Sequence, residues 1–151
     1  MTTRRRFTRF AVVGLSLVAA ALAGCTRMNA PTNRVTLSST LRASNEIPVN
    51  ASTGSGTVDA VLNTDTNMLS WKLAHNGLTG PATMGHFHGP ALVSANAGVA
   101  LAWASADNGS EGNATLTPAQ AADLLAGRWY ANVHTKANPG GEIRGQMSAR
   151  N

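Results

Sequence analysis

The residues of this chain best suited to chemistry are its histidines, and three of the four fall in strand-like patterns. In Met84-Gly85-His86-Phe87-His88-Gly89-Pro90, side chains 84, 86 and 88 share one strand face and Phe87 takes the other, toward a core. Two imidazoles so spaced stand about 6.5–7 Å apart at their backbones, close enough for both to reach one metal ion. His134 lies in Trp129-Tyr130-Ala131-Asn132-Val133-His134-Thr135, where Trp129, Ala131 and Val133 read as inward, and Tyr130, Asn132 and His134 as outward. It becomes a third ligand if its strand lies beside that of His86 and His88. Imidazole suits copper and zinc, and Met84 offers a soft additional donor. Glu142, across the turn Asn138-Pro139-Gly140-Gly141, is expected near His134, as a ligand or as a partner that orients one. The same histidines equally suit a sheet edge where they hydrogen-bond backbone or loop groups. Asn132 and Arg144, with Glu142, form either a binding patch or a polar ladder beside a hairpin. His75, alone beside a turn, reads as a surface residue.

Other chemistries find less support. Asp59, Asp65, Asp107 and Asp123 are dispersed, with no Asp-x-Asp-x-Asp loop for calcium. No spacing singles out a Ser–His–Asp triad or a nucleophile elbow. Gly54-Ser55-Gly56 is turn chemistry rather than a phosphate loop. The basic pI of about 10.7 suggests nucleic acid. However, Arg4, Arg5, Arg6 and Arg9 lie in a removable leader, which leaves eight basic against seven acidic residues, a net charge of +1. Without a basic stripe or interleaved aromatics, no nucleic-acid partner is expected.

The elements that must position the histidines are strands. Val35–Leu41, Val58–Leu62, Leu69–Leu73 and Val99–Trp103 alternate apolar and polar residues, as half-buried antiparallel strands do. Turn residues fill Asn50–Gly56, Asn63–Asn67 and Asn76–Pro81. Thr117–Gly127 reads as a short crossover helix, with Thr117 as N-cap, Pro118 in the first turn and Gly127 just past the end. Strand resumes over Trp129–Thr135 and Glu142–Ala149. Seven or eight strands in about 115 residues point to an all-β antiparallel sandwich or flattened barrel.

The N-terminus reads as an address. A basic head precedes 14 apolar or small residues from Ala11 to Gly24, short of the roughly 20 that span a bilayer. Leu22-Ala23-Gly24-Cys25 resembles a lipobox, and Cys25 is the single cysteine. The expected organisation is a signal peptide over 1–24, lipidated Cys25 with a tether to residue 34, and a domain over 35–151. The arginines resemble a twin-arginine signal and equally fit a Sec signal with a basic head. Several acyl chains make anchoring effectively permanent, and nine coiled residues reach roughly 15–18 Å. The expected location is the outer side of the cell membrane, or the outer membrane. Thr26 leaves the choice open.

Leu37…Ala43-Ser44-Asn45-Glu46-Ile47-Pro48, Gly85–Ala91, Leu125–Thr135 and Pro139-Gly140-Gly141-Glu142-Ile143-Arg144-Gly145-Gln146 together resemble a CHRD domain, over residues 35 to about 148. That resemblance implies an immunoglobulin-like β-barrel, distantly similar to copper/zinc superoxide dismutase, with no established enzymatic activity. By the dismutase similarity, His86 and His88 carry over as copper ligands. A zinc-binding cluster is not found, and a single cysteine forbids the enzyme's disulfide. The expectation is a non-catalytic, monomeric, membrane-anchored lipoprotein whose domain binds a protein, matrix or envelope partner. The alternative is an envelope protein that binds copper or zinc through His86 and His88.

Overall fold

The computed structural model describes Met1 and residues 33–150. Residues 2–24 of the expected leader, Cys25 and most of the expected tether lie outside those residues. Arg34, assigned to the tether by sequence, already begins the first strand, and Asn33 Nδ2 donates to Asp65 Oδ2 at 2.6 Å. No helix among the described residues is long and apolar enough to cross a membrane.

Nine strands occur among the described residues: β1 (Arg34–Arg42), β2 (Ser55–Asn63), β3 (Met68–Asn76), β4 (Ala82–His88), β5 (Val99–Ala102), β6 (Glu111–Thr115), β7 (Tyr130–Thr135), β8 (Ile143–Gln146) and β9 (Ser148–Ala149). Their order is β5-β4-β7-β8-β1-β2-β3-β6, with β9 beside β1, and every pairing is antiparallel. The two halves of this curled sheet are bridged by β8 against β1, with Arg42 opposite Arg144. This is an all-β flattened barrel with one short helix.

Alternation decides which face of each strand goes inward. Leu37 and Leu41 of β1, Val58 and Leu62 of β2, and Leu69 and Leu73 of β3 are fully buried, while their neighbours face outward. Trp71 of β3 meets Phe87 of β4 edge-on at 5.3 Å between ring centroids, so the two halves close over a shared aromatic core. Trp103 packs on Phe87 at 5.0 Å and on Gly85, where a Cβ would collide with its ring. Small Gly85 and large Phe87 thus seat β4 on the core and leave Met84, His86 and His88 to the other face.

Helix α1 (Pro118–Leu125) starts as expected: Thr117 and Gln120 form a reciprocal capping box, and Gly127 follows with φ of +68°. Strand β6 goes unpredicted because Glu111-Gly112-Asn113-Ala114-Thr115 has little apolar signal. Its register with β3, including Gly112 opposite Trp71, forms it instead.

Candidate metal centre

Antiparallel pairing of β4 with β7 brings the three histidines together. His86 stands opposite Asn132, His88 opposite Tyr130 and Met84 opposite His134. Register shifts lie between Ala82 and Met84 against β7, and between Phe87 and His88 against β5. Such irregularities re-aim side chains locally. One donor nitrogen each from His86, His88 and His134 falls within 4.8 Å of the others. The closest pair is His86 Nδ1 and His134 Nε2, at 3.0 Å. Tetrahedral zinc, with bonds of about 2.0–2.1 Å, places its donors roughly 3.4 Å apart. The set brackets that spacing, from 3.0 Å for the His86–His134 pair to at most 4.8 Å for the others.

The outward atoms of two rings are already fixed. His88 Nδ1 lies 3.0 Å from Ala97 O, and His134 Nδ1 lies 2.9 Å from Pro139 O. A carbonyl only accepts, so both Nδ1 atoms carry a proton, and in the neutral form of either ring the Nε2 lone pair turns inward. Metal-binding histidines are oriented in this way by the groups around them. Burial lowers the basicity of His86, and the nearby His134 and His88 lower it further. Burial does the same to His134, against the opposing hydrogen bond that it donates to Pro139 O, with His88 adding to the lowering. Both rings therefore favour the neutral form that a cation requires.

The face holding the site is not an outer one. All six residues of β7 are buried, including Tyr130, Asn132 and His134, which sequence alternation sends outward. Two segments cover them. The stretch after β4 lies over Tyr130, whose hydroxyl donates to Ala97 O. The 46–50 segment reaches the β7–β8 hairpin, where Asn50 Nδ2 donates to Glu142 O. Arg144 is buried too rather than part of an open patch. It donates to Asn96 Oδ1 at 2.7 Å and Ala95 O at 2.6 Å, and its guanidinium sits 3.4 Å above the Tyr130 ring. Tyr130 in turn stacks on His88, with centroids 4.8 Å apart and an interplanar angle of 1°. Arg144 thus holds both the loop that supplies Ala97 O and the ring that supports His88.

Glu142 also departs from expectation. Its carboxylate accepts from Ser52 Oγ, Thr79 N, Thr79 Oγ1 and Thr135 Oγ1, and from no histidine. Thr135 sits on the opposite face of β7 from His134, which takes the carboxylate away from the imidazoles. Burial pushes this carboxyl up, but the hydrogen bonds outweigh it and hold it at about 2. Met84 is 47% exposed, at the rim of the site. His75 is half-buried and bonds Ala106 O at 3.0 Å, away from the cluster.

Sequence reasoning overlooks Glu46, which is buried beside Asn132. It also overlooks the Tyr130–His88 stack and the carbonyls of Ala97 and Pro139. Glu46 stands in the Asn45-Glu46-Ile47-Pro48 motif, but nothing in that motif says where its carboxylate turns. With this geometry in place, comparison with known proteins gives one match: the family model for the CHRD domain, over residues 37–147. No curated protein and no solved structure matches the chain.

Proposed function

The chain belongs to the CHRD domain family, and on that premise we propose that its domain is a non-catalytic binding module in which His86, His88 and His134 hold one copper or zinc ion. The carrying observation is that three imidazole nitrogens converge while backbone carbonyls fix two of the rings from behind. The composition of the leader and the single Cys25 support an exported lipoprotein, held at a membrane by acyl chains. A binding role rather than catalysis fits the ligand set. Among the described residues the cluster is three imidazoles, a donor set suited to holding one ion.

Titration calorimetry of the purified chain with Zn(II), Cu(II) and Cu(I) tests the proposal. One ion should bind per chain, and His86→Ala/His88→Ala should abolish that binding. Equal affinities in the wild type and the double variant sink the metal reading.

Docking of a protein or envelope partner is the second reading. Val49, Leu92 and Val93 favour it, being 65–70% exposed on the two segments that cover the site.

A further inference from the structure

Beside two of the three rings lies a fourth electron-rich atom. Asn132 Oδ1 lies 3.0 Å from His134 Nε2 and 3.1 Å from His88 Nε2. In the neutral rings that a metal ion requires, with the protons on Nδ1, these two Nε2 atoms and that oxygen present lone pairs to one shared space. The oxygen is aimed there from behind: the Asn132 amide nitrogen faces the Glu46 carboxylate. With Glu46 ionised, reversing the amide would set its oxygen against the carboxylate. Gly141 makes the approach possible. A Cβ there would collide with Glu46 Oε1 and lie 2.9 Å from Asn132 Nδ2, and φ is +129°. Glu46 is only 5% exposed, and its Oε1 is a buried atom without a hydrogen-bond partner by ordinary geometry. A buried carboxylate left so poorly satisfied costs stability, so it calls for a role other than folding.

We propose that Asn132 Oδ1 is the fourth donor of the His86–His88–His134 site, that Glu46 is the positioning residue that aims it, and that the resulting three-nitrogen, one-oxygen set takes a divalent ion, zinc or copper(II), in preference to copper(I). This rests on the metal reading above. Carbonyl oxygen is a hard donor, whereas copper(I) selects thioether and thiolate. The soft donor of this face, Met84, stays at the rim.

The test uses the purified chain, Zn(II), Cu(I) and Co(II), the last as a visible-absorption reporter of coordination. Asn132→Ala should weaken Zn(II) binding by about 10–100-fold, the usual range for a supporting ligand or its partner. It should leave Cu(I) affinity within about 3-fold and shift the Co(II) spectrum. Asn132→Asp should restore tight Zn(II) binding, with a spectrum of its own. Glu46→Gln, which touches no ion, should move the Co(II) spectrum in the same direction as Asn132→Ala. If Asn132→Ala fails to fold, Asn132→Asp carries the test. Should the wild type bind Zn(II) while the folded Asn132 variants match it in affinity and spectrum, the fourth donor is refuted and the three-histidine site stands. An unchanged Glu46→Gln spectrum refutes the positioning role. A wild type that binds no Zn(II) removes both readings.

Discussion

Glu142 and Glu46 are both carboxylates shut away from water beside the β7–β8 hairpin, yet they are held in opposite ways. Glu142 accepts four hydrogen bonds from Ser52, Thr79 and Thr135, tying the loop before β2, the loop before β4 and the end of β7 to one point. Glu46 keeps an unpartnered oxygen and is pushed up by burial to about 7, against the pull of Arg144, the Ile47 N–H and Asn132. A fully satisfied buried charge is architecture, because the fold supplies each partner it needs. A half-satisfied one beside converging imidazoles is what the proposed site would ask of the fold, binding placed ahead of stability.

The contrast breaks most readily at Glu142. Its replacement by Ala removes the acceptor from four donors, of which only the Thr79 and Thr135 hydroxyls can turn to one another, and should cost about 3–5 kcal/mol in denaturant unfolding. Glu46→Ala should cost far less, or stabilise. Equal losses would erase the distinction.

The pH dependence separates the two next. The Glu142 carboxyl, at about 2 in the fold against an ordinary 4.5, contributes stability above pH 4.5 that is lost as pH falls toward 2. The full swing is on the order of 3 kcal/mol. Glu46 runs the other way. Its proton is held more tightly folded than unfolded, so its contribution is most favourable below pH 4.5 and is lost as pH rises through 7. Glu142→Gln should flatten the acid limb of the stability profile, and Glu46→Gln the limb between 4.5 and 7. Thermal unfolding across pH 2–8 reads both.

Zinc sharpens the comparison from the side of the site. At 100 times its dissociation constant, an ion that binds only the folded chain stabilises it by about 2.7 kcal/mol. That gain should vanish in His134→Ala and persist in variants of Ser52. The smallest effect belongs to Gly141→Ala, where the strained φ and the crowding of Glu46 should cost about 1–3 kcal/mol and weaken zinc binding as well.

Much of this frame can be read from the sequence because alternation and turn residues are local. The inward Leu37–Leu41 and Leu69–Leu73 patterns, the Thr117 cap and the shared face of His86 and His88 all follow from spacing. The polar strand β6 does not, because its partner β3 defines it rather than its own residues. Tyr130, Asn132 and His134 are on the face that alternation gives them, but alternation says nothing of the loop laid over that face by Arg144. For Glu142 the phase is a poor guide: the residue lies just before β8, where the hairpin backbone at Gly141 turns, and its carboxylate follows the hydroxyls rather than the pleat.

The account depends most on the inward-turned nitrogens of three rings. Long-range nitrogen–proton correlation NMR of the histidine side chains, recorded during Zn(II) titration, observes them one nitrogen at a time. Before zinc, His88 and His134 should both appear as Nδ1-protonated tautomers, and at one equivalent the shifts should fall on their Nε2 atoms and on His86 Nδ1, with His75 unmoved. Zinc-dependent shifts confined to His75, or none on the other three rings, would contradict the account.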